Sequence, residues 1–289
     1  MGGIVLRAGE GECLIEGRLW IKADLDEVGI TETRFQPRQN GAPRHVHRRH
    51  VDSFYVLDGE LTFKTTDRAL AAGVGATFVA PPGAVHGFDN DADQPTRYLN
   101  FHAPGSGFVE SLRARRRDPD TYDQTRYDSW HPPDVAPSGA RSIRAGTGDR
   151  LEAEMRVATI KVGRDELALV EFELRPGFEG PSPHIHRRHV DAFFVVAGSP
   201  QFRIENRTVE GDPGTFVAAP PGVIHSFSNR GPDPALLVNV HAPSCGFHEY
   251  LHVMDDVEEE LDEATHARYD VYELDSWNGR KIERRSRVS

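Results

Sequence analysis

Apolar and polar positions alternate in short runs along this chain, and Gly and Pro cut the runs apart. Ile30 to Phe35 alternates and stops before Pro37, which predicts a strand; Gln39 to Pro43 reads as a turn. Ser53-Phe-Tyr-Val-Leu57 is rich in residues that suit a pleated surface. It ends at Asp58-Gly59, a hairpin signal, so Leu61 to Thr65 is expected to pair back on it. Thr77 to Ala80 and Tyr98 to His102 are further strands. From Ser106 the period changes: apolar residues at 108, 109 and 112, after Ser106 as a candidate cap, predict a helix across the outside of the sheet. Residues from about 118 to 140 then read as a connection broken at His131-Pro-Pro133.

The same order returns. Leu167 to Leu174, Ala192 to Val196, Gln201 to Ile204, Thr215 to Ala218 and Leu236 to Val240 repeat the strands, and Gly246 to Leu251 opens the matching helix. The repeat is written most clearly in His45-Val-His47-Arg-Arg-His50-Val-Asp52, which returns as His184-Ile-His186-Arg-Arg-His189-Val-Asp191 at an offset of 184 − 45 = 139. Pro81-Pro-Gly83-Ala-Val-His86 returns as Pro220-Pro-Gly222-Val-Ile-His225, and Asn100-Phe-His102-Ala-Pro104 as Asn239-Val-His241-Ala-Pro243. Many short strands in a long internal repeat indicate two fused sandwiches or barrels. In an extended chain residues i and i+2 share a face, so each His-x-His aims both imidazoles the same way. A repeated His-x-His joined by a later His is a metal-site pattern.

Composition narrows the classes. The chain has 289 residues, 38% hydrophobic, with a formal net charge of −11. It is long enough for two cores, and its acidity argues against nucleic acid as the main partner. The only strongly basic stretches, Arg113 to Arg117 and a tail with Arg280, Lys281, Arg284, Arg285 and Arg287, read as a solvated helix face and a mobile end; Glu258 to Glu260 reads as an acidic face. Cys13 and Cys245 do not occupy matching repeat positions, so no disulfide framework is indicated. Without a signal-peptide pattern or a membrane-length apolar run, a cytoplasmic protein without a membrane partner is expected.

At these residues the chain resembles the cupin superfamily, specifically a two-domain bicupin. His45, His47, Asp52 and Gly59, and again His184, His186, Asp191 and Gly198, fit the later part of the family's first motif. Gly75, Pro81, Gly83, His86 and Asn90, with Gly214, Pro220, Gly222, His225 and Asn229, match the second throughout. The resemblance implies an all-β fold of two tandem double-stranded β-helix (jelly-roll) barrels, each followed by a short packing helix. The divisions are 1–117, a linker at 118–140, and 141–289. It implies one divalent transition metal (Fe, Mn, Ni, Co, Cu or Zn) in each barrel, held by His45, His47, Asp52 and His86 and by His184, His186, Asp191 and His225. It also implies pairing into a homodimer. Two features depart from the pattern. Gly41 and Gly180 sit nearer the first His than the leading motif Gly, and the carboxylate is Asp where the family has Glu. The shorter Asp either reaches the metal directly, binds through water, or leaves a three-His site, with His50 and His189 nearby to compensate.

The resemblance to quercetin-dioxygenase-like bicupins implies a metal-dependent oxygenase acting on a small aromatic or enolisable substrate. His102 and His241 are the acid/base candidates, or else groups that cap the barrel rim. A non-oxidative lyase or isomerase stands as an alternative, although decarboxylases of that type look to use a lid-loop Glu for which the sequence offers no evident counterpart. A non-enzymatic small-ligand-binding barrel is a third reading.

Overall fold

The computed structural model describes residues 2–133, 139–256 and 261–274, and the backbone of 276–277 and 280–281. Two compact units emerge, one of residues 9–149 and one of residues 1–8 with 150–289. By compactness the chain divides at 8/9 and 149/150. The reason is strand pairing. Ile4–Leu6 lies against Phe216 to Ala218 in the second unit, while Arg141–Ile143 lies against Thr77 to Val79 in the first. The segment expected to be a linker also contains a 3-10 turn at Gln124–Tyr127. The acidic run at 258–260 and the side chains of the basic tail lie outside the described residues.

Each unit is an antiparallel roll of two sheets. In the first, seven strands run in the order 141–143, 77–80, 51–58, 96–103, 29–35, 19–24, 12–15, and three run 69–73, 60–64, 87–89. The second repeats this with 4–6, 216–219, 190–197, 235–242, 168–174, 156–163, 149–152, facing 207–210, 201–204, 225–228, 184–185, 272–273. Every strand expected from alternation is present. The expected hairpin at Asp58-Gly59 is not. Val51–Asp58 pairs with Thr96–Ala103 and Thr77–Ala80, whereas Glu60–Lys64 pairs with Ala69–Gly73 and Gly87–Asp89 in the other sheet. Asp-Gly here turns a corner between sheets, because the apolar faces on both sides of it are drawn into one core. Gly59 holds φ +71°, and a Cβ there would sit 2.3 Å from the Pro95 carbonyl oxygen.

The cores differ in bulk. In the first roll Phe35, Phe54, Phe63, Phe78 and Tyr98 are all buried, with Phe63 and Phe78 stacked at 3.9 Å. At the same repeat offset the second roll carries Leu174, Phe193, Phe202, Val217 and Leu237. Three of five large rings are thus replaced by smaller aliphatic groups. The helices Phe108–Arg117 and Phe247–Asp256 start after glycine in left-handed conformation, Gly107 and Gly246, and Gly107 rather than Ser106 is the first cap. Each packs against its own sheet, Phe108 and Val109 beside Gly29 and His248 beside Gly163. Phe108 stacks on His102, and Phe247, Tyr250 and Leu251 join the second core.

Gly59→Ala should cost about 2–4 kcal/mol, since a left-handed Ala is strained and its Cβ clashes with backbone. Urea melting checks this; an unchanged midpoint would show that the corner tolerates a side chain.

Candidate metal centres

The three histidines of each roll come from two segments of chain, the His-x-His pair and the later His, drawn together by backbone. In the first, His45 N–H donates to the His86 carbonyl at 2.8 Å and His86 N–H to the His45 carbonyl at 3.0 Å. The Pro-Pro-Gly corner brings the Gly83 amide to the His47 carbonyl at 2.6 Å. In the second, His184 pairs with His225, and Gly222 donates to the His186 carbonyl at 2.6 Å. Asp52 stands opposite His102 on adjacent strands, and Asp191 opposite His241, so each carboxylate shares a face with that His.

All six imidazoles are oriented alike. Each Nδ1–H donates to a backbone carbonyl: His45 to Pro43 (2.8 Å), His47 to Asp128 (2.8 Å), His86 to Ala84 (3.0 Å). His184 donates to Ser182 (2.8 Å), His186 to Asp270 (2.8 Å), and His225 to Val223 (2.9 Å). With Nδ1 protonated, each neutral ring turns a bare Nε2 lone pair inward. His45 and His47 Nε2 lie 3.1 Å apart with no proton to share. His86 Nε2 is 3.0 Å from Asp52 Oδ2, and His225 Nε2 3.0 Å from Asp191 Oδ2. His186 Nε2 is buried with no hydrogen-bond partner. Lone pairs converging on a carboxylate repel one another, and a cation among them removes the conflict; the donor set suits a transition ion. The four side chains of each set could hold one metal, their ligand atoms lying within 4.8 Å of one another. Asn100 Nδ2 grips Asp52 Oδ1 at 2.5 Å, Asn239 grips Asp191 Oδ1 at 2.6 Å, and Oδ2 is left facing the rings.

His50 and His102 form a second layer. His50 Nδ1 meets Asp128 Oδ2 at 3.0 Å, His50 Nε2 meets His102 Nδ1 at 2.9 Å, and His102 Nε2 meets Asn100 Oδ1 at 3.1 Å. Asp270, His189, His241 and Asn239 repeat the column at 2.9, 2.9 and 3.1 Å. Each column has three contacts that need a proton, and two neutral rings supply two. His102 and His241 therefore bond to side chains rather than capping a rim through backbone. The motif asparagines Asn90 and Asn229 lie elsewhere: each ties loop carbonyls together through its Nδ2. Gly41 and Gly180 are needed where they sit, since a Cβ would fall 2.3 Å from the Phe88 carbonyl oxygen or 1.6 Å from that of Phe227.

Asp128 and Asp270 are absent from the sequence-based set, as are Asn100 and Asn239. The asparagines lie inside the repeated Asn-x-His-Ala-Pro. The aspartates end a repeated Arg-Tyr-Asp, whose offset of 270 − 128 = 142 departs from the 139 of the other motifs. A cavity of about 310 Å³ opens on the second cluster. His184, His186, Asp191 and His241 line it with Phe172, Phe178, Phe227, Phe247 and Tyr250.

Burial lowers His45 to about 3 and His186 to about 4, and holds His184 well below 6.5. Burial opposes the charge on Asp52 and Asp191, but the neighbouring imidazoles prevail and hold both well below the usual carboxylate range. As pH falls below about 6.5 the unfolded chain takes up protons that these buried rings refuse, so stability is full above that value and declines toward about 3. The aspartates act in the same direction below about 3.8. Chelator-treated protein should melt at progressively lower temperature between pH 7 and pH 4 in calorimetry. A flat profile would contradict neutral buried imidazoles.

Comparison with known proteins gives a consistent picture. The family model described as "Cupin domain" matches residues 31–102 and again 170–241. Curated proteins give no match. Among solved structures, protein YlbA from E. coli aligns at TM-score 0.61 with 11% identity, covering 83% of this chain and 90% of its own. A mutant of Bacillus subtilis oxalate decarboxylase OxdC aligns at 0.57 with 13% identity, over 84% and 78%. Salicylate 1,2-dioxygenase from Pseudoaminobacter salicylatoxidans, with gentisate, aligns at 0.55 with 14% identity, over 78% and 70%. At such identities these likenesses speak for the fold. Among the described residues no helix is long and apolar enough to cross a membrane. With the domain matched twice, on two rolls of the same strand order, the chain belongs to the cupin family as a bicupin.

Proposed function

We propose that the protein is a metal-dependent oxygenase, with turnover in the second barrel on a small aromatic or enolisable substrate. The observation that carries this reading is the cavity: an aromatic-walled space, large enough for a small ligand, whose floor is His184, His186, Asp191 and His241. In the first barrel Phe35, Phe78 and Tyr98 stand where the second has Leu174, Val217 and Leu237, and Thr33 where it has Phe172, so the two interiors are shaped differently. The first centre then serves mainly to hold its roll together. Salicylate 1,2-dioxygenase, a structural neighbour, acts on a ligand of this class.

His184, His186, Asp191 and His225 would hold the ion, which supplies Lewis acidity and one-electron chemistry when bound. The chain does the rest. Phe172, Phe178 and Phe227, packed on one another at about 6 Å, form an aromatic wall against which a flat ring rests and which excludes water. His241 sits on the cavity wall stacked on Phe247 at 3.4 Å, which fixes its plane. It accepts the proton of a substrate hydroxyl, and that proton fills the one missing from its hydrogen-bonded column. Dioxygen is the co-substrate, and a carbon–carbon bond of the ring or enol is cleaved.

A second reading gains one observation. Glu273 lines the cavity and stands opposite His184 in a strand pair, on the same face. It is the proton donor that a decarboxylase-like lyase would require.

Purified protein loaded in turn with Fe, Mn, Ni, Co and Cu should consume dioxygen with a phenol, hydroxybenzoate or flavonol. His186→Ala should abolish this, and His47→Ala should spare it. His241→Ala should lower kcat by roughly 10²–10⁴ with metal retained. Turnover without dioxygen that is lost in Glu273→Gln would establish the lyase instead.

A further inference from the structure

We infer that Asp128 and Asp270 are positioning residues of the two metal centres, and that docking of the post-helix segment carrying each is coupled to metal binding. The inference rests on the metal reading above. It starts from one residue making contacts of two kinds. The backbone carbonyl of Asp270 accepts the Nδ1–H of His186, and so fixes which nitrogen of that ring faces the cluster. Its carboxylate Oδ2 accepts the amides of Arg187 (3.1 Å) and Arg188 (2.8 Å) and meets His189 Nδ1 at 2.9 Å. That carboxylate therefore shapes the turn between the His-x-His pair and Asp191. Asp128 does the same for His47, Arg48, Arg49 and His50.

Both aspartates are buried, at 1% and 0% exposure, and both are left-handed, with φ 57° and 62°. In this left-handed conformation the carbonyl and carboxylate of each aspartate reach the same loop. Each arrives about 80 residues after the histidines it holds. In the second barrel the segment is fastened further by Tyr272 and Glu273, which pair with Ile185 and His184, and by Tyr250 Oη meeting His266 Nδ1 at 2.8 Å. In the first, Trp130 and Val46 exchange backbone bonds at 2.9 and 3.0 Å, and Arg48 stacks on the indole at 3.9 Å. An ion that needs Nε2 of His186 turned inward also needs the carbonyl that turns it. Metal binding thus draws the segment down, and the docked segment raises metal affinity.

The test uses full-length His47→Ala protein, so that Co²⁺ reports on the second site. Asp270→Gly removes the carboxylate while a glycine holds the left-handed turn without strain. It should weaken Co²⁺ binding roughly 10–100-fold in chelator competition and alter the visible absorption of the bound ion. Asp270→Asn keeps an acceptor oxygen and tolerates the left-handed turn, and should restore most of the affinity. Co²⁺ should slow amide exchange at residues 266–273 in the parent and less so in Asp270→Gly. If the glycine variant does not fold, Asp270→Ser carries the same expectation. Parental affinity and spectrum in the variant would overturn the positioning role. A parent that binds no Co²⁺ would overturn the metal reading itself, and the inference with it.

Discussion

The structure depends on a constraint at one nitrogen. Six imidazoles each have Nδ1 occupied by a backbone carbonyl, and each presents Nε2 to a small space shared with an aspartate. Hydrogen bonding of this kind costs little at Nδ1 but leaves a concentration of lone pairs that only a proton or a metal ion relieves. Burial has already made the proton expensive. The carbonyls belong to residues two before a histidine in four of the six cases, so the local chain enforces the tautomer. In the other two it comes from a distant aspartate, and there the fold must be complete before the ring is set.

The strands were legible because alternation is a local property, and so was the duplication. The convergence of the His and Asp side chains was legible because His-x-His on an extended chain shares a face, and because the Pro-Pro-Gly corner carries the third imidazole at a fixed distance. What could not be read came from pairing at a distance. Asp58-Gly59 looks like a hairpin, and only the neighbouring strands show that it joins two sheets. Ile4 to Leu6 carries nothing to announce that its partner lies beyond residue 215. Asp128 and Asp270 sit outside the repeat register, in a stretch that reads as a connection, so periodicity gave no reason to single them out.

Duplication has kept the candidate ligands and let the interiors diverge. The His and Asp side chains of the two clusters are the same in both rolls, and so are the asparagines behind the carboxylates. The side chains beneath them are not: Phe35, Phe78 and Tyr98 give way to Leu174, Val217 and Leu237, and Thr33 to Phe172, which redistributes the volume inside the roll. Close packing makes such exchanges consequential, since an interior without spare room admits no guest. Two sites of equal chemistry can thereby differ in what may approach them.

The pairing of Ile4–Leu6 with Phe216 to Ala218 bears on how the molecule is made. Residues 4–6 precede the whole first roll in the chain yet belong to the roll that is finished last. They stay without their partner until more than two hundred further residues have been added. During that interval the first roll has all its own strands and can close, while the second has an uncovered edge until the amino terminus returns to it. A fragment beginning near residue 150 would keep that edge bare permanently, and bare edges recruit other chains. With that strand in place the edge of the sheet is three residues long, a short edge that offers little to another chain.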